Sequence, residues 1–170
     1  MALKEPTPAT QITRAMIEGI SSKLYPQKVY TLTLKDLLAT GLRRAKFSGW
    51  RFTGEVAGRD VGVHVDQGRR PASTEFTHGE DVTIVRDTLR NTVKSPEVRK
   101  HHYELRLLSI PGIGVQAVWL KAEDGSSDLI RPYLHCRLVR ASRFQPVEKF
   151  LAKIRREAEE QFEFDDSPRR

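Results

Sequence analysis

One cysteine, Cys136, is all the chain has in 170 residues, so no intrachain disulfide can be drawn and the disulfide-stapled class of small secreted folds is excluded. Long apolar runs are missing as well. None approaches the roughly 20 residues that a membrane-spanning helix requires. The opening MALKEPTPATQITRAM has no apolar stretch after its lysine and does not read as a secretory leader. These absences lead us to expect a chain that does not contact a membrane and works in the cytoplasm.

The chemical signatures that name an activity are also missing. There is no CxxC, no helical HxxxH pair, and neither GxGxxG nor GKS/GKT is completed. His135 and Cys136 are neighbours in a strand-like run, so they face opposite ways and chelate poorly. Cys136 shares its period-two face with Leu134 and Leu138 and reads as core. Glu75, His78, Glu80 and Asp81, with His64, are the one collection worth testing as an active site, in a long loop over 67–80. No metal or cofactor is expected, and a non-enzyme is the better expectation.

The glycines of IPGIGVQAVWL, residues 110–120, raise a sharper question. A phosphate-cradling loop runs from a strand into a helix, whose N-terminal amides meet the anion. Here Gly112-Ile113-Gly114 runs into VQAVWLKA, which has period two, so a corner between two strands is predicted.

What the chain has is charge and periodicity. Its 29 basic and 22 acidic residues give a net charge of +7. Residues 1–50 hold eight basic side chains against three acidic ones, so most of the excess lies in the first third. Ile12, Met16, Ile20 and Leu24 recur at helical spacing, with Thr10 as a cap and Pro26 beyond the end. Residues 29–34 alternate as a strand, and KDLLATG reads as a helical turn closed by Gly41. GWRFTGEV and VGVHV flank a glycine-containing turn and predict a β-hairpin with Trp50 and Phe52 on one face.

Val82, Val85, Leu89 and Val93 predict a helix over 81–94, although Thr83, Ile84, Thr88 and Thr92 argue for a strand. Strands follow in YELRLLSI, VQAVWLKA and DLIRPYLHCRLV, the second apolar on both faces and so central. After Pro146, expected at the first helical position, Val147, Phe150, Leu151, Ile154, Ala158 and Phe162 form the apolar stripe of a C-terminal helix. No internal repeat is evident.

The expected fold is α+β: a mostly antiparallel sheet of about five strands packed by the C-terminal and middle helices, with an N-terminal helical arm. The organisation is an arm over 1–26, one domain over 27–164 and a polar tail over 165–170. The function expected first is a protein-binding adaptor or assembly component, engaging a protein partner or a second copy of itself through Ile12, Met16, Ile20 and Leu24. The alternative is nucleic-acid binding through Arg43, Arg44, Lys46, Arg69 and Arg70, and an enzyme using the 67–81 loop is the third.

Overall fold

The structure is a computed structural model that describes residues 25–56, 59–66, 74–78, 80–96, 98, 102–124, 127–134 and 143–166, in part as backbone only. Eight strands form one sheet: β1 (Tyr25–Thr31), β2 (Lys46–Val56), β3 (Arg59–Asp66), β4 (Thr74–His78), β5 (Tyr103–Ile110), β6 (Val115–Ala122), β7 (Leu129–Leu134) and the two-residue β8 (Gln145–Pro146). Among the described residues three helical elements of 7 residues or more accompany them: α1 (Leu34–Thr40), α2 (Glu80–Lys94) and α3 (Val147–Asp166). The sheet order is β4-β3-β2-β1-β5-β6-β7-β8, antiparallel except where β1 meets β5. The α+β class and the antiparallel preference agree with the sequence. The count of about five strands is corrected to eight, and the sheet is mixed.

The order encodes a duplication of topology. Each half is a strand, a short helical insert, three further strands and a long helix. The first insert is α1, and the second is the 3₁₀ turn Pro111–Ile113. The first strands of the halves, β1 and β5, lie side by side and parallel, as two meanders do when related by an axis in the sheet plane. Such an axis exchanges the faces of the sheet, and the long helices do pack on opposite faces. Val85 and Leu89 of α2 join Val29, Leu107, Val118, Leu120 and Tyr133. Phe150, Ile154 and Ala158 of α3 join Leu108, Ile110, Ala117, Trp119 and Ile130, with Leu34 and Leu37 of α1. The repetition lies in topology and not in residue pattern, which is why the sequence does not announce it.

The sheet is not flat. α2 touches β2, β3, β4 and β7. A flat sheet would hold β4 and β7 roughly 29 Å apart, at about 4.8 Å per strand. The 15 residues of α2 span only roughly 22 Å, so the strands curl over it.

Several local expectations hold for identifiable reasons. The hairpin of β2 and β3 is in place, with Phe52 opposite Val63. Helix wins over strand in α2, whose Val85 and Leu89 dock on the sheet core, and the buried Thr92 hydroxyl is satisfied within the helix by donating to the Thr88 carbonyl at 2.8 Å. β6 is interior and buries residues on both faces. Gly112-Ile113-Gly114 is the corner: Pro111–Ile113 make one 3₁₀ turn, and Gly114 takes a left-handed φ of 64° to enter β6.

Others are corrected. The strand expected over 29–34 begins at Tyr25 and stops at Thr31, because Thr33 caps α1 by accepting from the Asp36 amide at 3.2 Å. That strand takes in Pro26, and the helix expected before it lies outside the described residues. The loop over 67–80 contains β4, which pairs with β3 from Val61↔His78 to Val65↔Thr74. Pro146 belongs to β8, immediately before α3, and α3 runs to Asp166, into the residues expected as tail.

Candidate functional site

The residues that stand out chemically lie in one register row across four strands. Trp50 on β2 faces Lys28 on β1, Lys28 faces Arg106 on β5, and Arg106 faces Trp119 on β6. Glu104, two residues before Arg106, shares its side of β5. The same side carries Leu108 and Ile110, so this is the sheet face on which α3 packs.

Glu104 is the hub. Its Oε1 accepts from Lys28 Nζ and its Oε2 from Arg106 Nη2, both at 2.9 Å. All three side chains are largely buried, at 23%, 13% and 17% exposure for Lys28, Glu104 and Arg106. Burial opposes ionisation of Glu104, but the hydrogen bonds and charges of Lys28 and Arg106 outweigh it and hold the carboxyl below its ordinary value.

Aromatic rings frame the cations. The Arg106 guanidinium lies 4.2 Å from the Tyr30 ring centroid and 4.9 Å from that of Trp119, and Lys28 Nζ lies 5.9 Å from that of Trp50. Tyr30, Phe47, Trp50 and Trp119 meet edge to face at 5.3–5.9 Å. A bulge between Val29 and Tyr30 lets Phe47 face Tyr30 while Trp50 faces Lys28.

The two tryptophans are not equivalent. Trp119 Nε1 donates to Asp128 Oδ2 at 3.0 Å, and Asp128 also accepts from Lys121 Nζ and the Ala122 amide. Trp50 Nε1 and Arg106 Nε are both buried and have no hydrogen-bond acceptor. Among the described residues the face therefore holds Lys28, Arg106 and Lys121 against Glu104 and Asp128, with the buried Trp50 Nε1 and Arg106 Nε donors left without an acceptor.

Of the site residues expected from sequence, Ile12, Met16, Ile20 and Leu24 lie outside the described residues, as do Arg69 and Arg70. Arg43 and Arg44 are exposed in the turn after α1, and Lys46 is exposed at the start of β2. Arg44 reaches Asp36 at 3.4 Å. The β3–β4 register sets His64 opposite Glu75 and Val61 opposite His78, and Glu80 and Asp81 open α2; the side chains of these residues are not described. Among the described residues no group of three or more His, Cys, Asp or Glu has metal-binding proximity, and no helix is long and apolar enough to cross a membrane.

Sequence reasoning missed Lys28, Glu104, Arg106 and Trp119. A signal for two of them was present: Glu104 and Arg106 share the period-two parity of Leu108 and Ile110, so they continue a core stripe rather than face open solvent. No family model matches this chain, and no curated protein or solved structure matches it.

Proposed function

We propose that the protein is a non-enzymatic binding module, an adaptor or assembly component, that engages a protein partner through the face bearing Trp50, Lys28, Arg106 and Trp119. The observation that carries this reading is the unbalanced donor count on a mostly buried aromatic floor. The rings are buried within the chain, so the part of this face open to a partner is the partly exposed pair of cations, Lys28 and Arg106. The rings themselves argue against a stacking platform for nucleic-acid bases, since Trp50 and Trp119 are only 3% and 4% exposed. The apolar stripe of Ile12, Met16, Ile20 and Leu24 remains part of the proposal as a second contact surface.

The test is purification of the tagged chain from its native cell with nuclease treatment, compared with the Lys28→Met variant. A stoichiometric protein recovered by the wild type and lost from the variant supports the reading. Equal recovery by both removes this face from it. A chain beginning at residue 25, where β1 starts, tests the N-terminal stripe in the same way.

A second reading, nucleic-acid binding, is favoured by one observation. Lys35, Arg43, Arg44 and Lys46 are all exposed within and just after α1, and Asp36 alone opposes them there. It predicts retardation of nucleic-acid probes that weakens steeply with salt and is reduced by replacing Arg43 and Lys46.

A further inference from the structure

We infer that the row centred on Lys28 is a binding site for a carboxylate, supplied by an acidic side chain of the partner. The inference rests on the protein-binding reading only for the source of the carboxylate; the site itself follows from the donor and charge accounting.

Each Glu104 oxygen already accepts from one cation, Lys28 or Arg106, and neither Trp50 Nε1 nor Arg106 Nε reaches an acceptor. Lys28 nevertheless carries three N–H donors and Arg106 five, and a buried N–H without an acceptor is costly. Trp50, 3% exposed, adds an indole N–H with no acceptor directly across the register from Lys28. The group that completes this face is therefore an acceptor.

Charge decides which acceptor. Lys28 and Arg106 against Glu104, with the neighbouring Lys121–Asp128 pair self-balanced, leave the described part of the face at +1. A monoanionic carboxylate balances that charge, whereas a phosphate dianion would leave a negative excess in a largely buried setting, where unpaired charge is penalised most. The partly exposed Lys28 and Arg106 are where such a group makes its first contact, and the buried Trp50 Nε1 and Arg106 Nε come within its reach only as these side chains shift to admit it.

The chain has two tryptophans, so its indole N–H spectrum holds two side-chain resonances, and Trp119 serves as an internal control because Asp128 already accepts from it. The experiment titrates the isotopically labelled full chain separately with sodium acetate, a capped glutamate and inorganic phosphate at constant ionic strength, following both indole signals and the Arg106 Nε–H. Trp50 and Arg106 are expected to shift saturably with acetate and capped glutamate, with Trp119 nearly still and phosphate weaker. Lys28→Met should weaken the carboxylate response about tenfold or more, as loss of one charge-assisted hydrogen bond does. Lys28→Arg, which keeps the charge, should retain most of it and shows that the fold tolerates a change at this position.

Three results would overturn the inference: no saturable shift at Trp50, equal movement of Trp50 and Trp119, or phosphate binding as well as acetate. Because the readout uses the chain alone, it succeeds or fails independently of whether a protein partner is recovered.

Discussion

Replacing Gly112 by alanine forces Leu34 to move, and the cost can be worked out from the corner between β5 and β6. A methyl group built on Gly112 would lie 2.6 Å from Leu34 Cγ, 2.8 Å from Cδ1 and 3.1 Å from Cδ2. Favourable carbon contacts sit at about 3.5–4.0 Å, so roughly 1 Å of displacement is required. Leu34 has little freedom to give it. It is the first residue of α1, 7% exposed, and packed in the core that α3 closes.

Overpacking of this kind costs about 1–3 kcal/mol. Against it stands the gain of about 0.4–1 kcal/mol from restricting the unfolded chain, since Gly112 has no positive φ that would strain alanine. The expected net loss is about 1–2 kcal/mol, or roughly 2–8 °C in Tm for a chain of this length. Urea unfolding followed by tryptophan fluorescence measures it. The decisive comparison is the cycle with Leu34→Ala, which removes all three clashing atoms. The double variant should be at least about 1 kcal/mol more stable than the sum of the single changes predicts, because the new methyl occupies the space that Leu34 leaves. Additivity within about 0.5 kcal/mol would refute the clash as the cause.

Three further outcomes follow from the same structure. Glu104→Gln should destabilise by about 2–3 kcal/mol at neutral pH, since it weakens two charge-assisted hydrogen bonds and leaves Lys28 and Arg106 without a counter-charge. Because the folded-state pKa of Glu104 is lowered, its contribution is full above the ordinary value of 4.5 and is lost as pH falls through the folded value; the gap between wild type and variant should close in acid, as denaturant midpoints across pH will show. Asp128→Ala removes the acceptor of Trp119 Nε1 and of the Ala122 amide, and should cost about 2–3 kcal/mol with an unchanged urea m-value, part of it recovered in Asp128→Asn. Thr92→Val should stay within about 1 kcal/mol of wild type in the same assay, because the hydroxyl it deletes serves only the Thr88 carbonyl of its own helix.

How much of this was legible in the sequence depends on the range over which each signal acts. The stripe of α3 needed only residues within a few turns of one another, and the structure buries Val147, Phe150, Ile154 and Ala158 as the spacing predicts. The β2–β3 hairpin and the 3₁₀ corner were likewise local. β4 was hidden because TEFTH is short and polar, and it becomes a strand only by pairing with β3. The boundary of β1 failed for a related reason: TLTL alternates as a strand does, yet Thr33 supplies a helix cap, and the cap won.

The candidate site was out of reach for a different reason, which also says what it depends on. Lys28 and Trp50 come from the first half of the chain, and Glu104, Arg106 and Trp119 from the second. They meet only because β1 and β5 pair in parallel, with Lys28 opposite Arg106, and no local pattern sets that register. A shift of one residue between these strands would send Lys28 and Arg106 to opposite faces and leave Glu104 with one cation at most. The register is held instead by cores on both faces of the seam, with Val29 and Leu107 under α2 and Leu108 and Ile110 under α3. A change that loosens either core at the seam, such as Leu107→Ala or Leu108→Ala, should therefore disturb the Lys28–Glu104–Arg106 cluster as well as stability. Arg106 Nε–H exchange would report that coupling, and unchanged exchange in a measurably destabilised Leu108→Ala chain would show that the register does not depend on the α3 core.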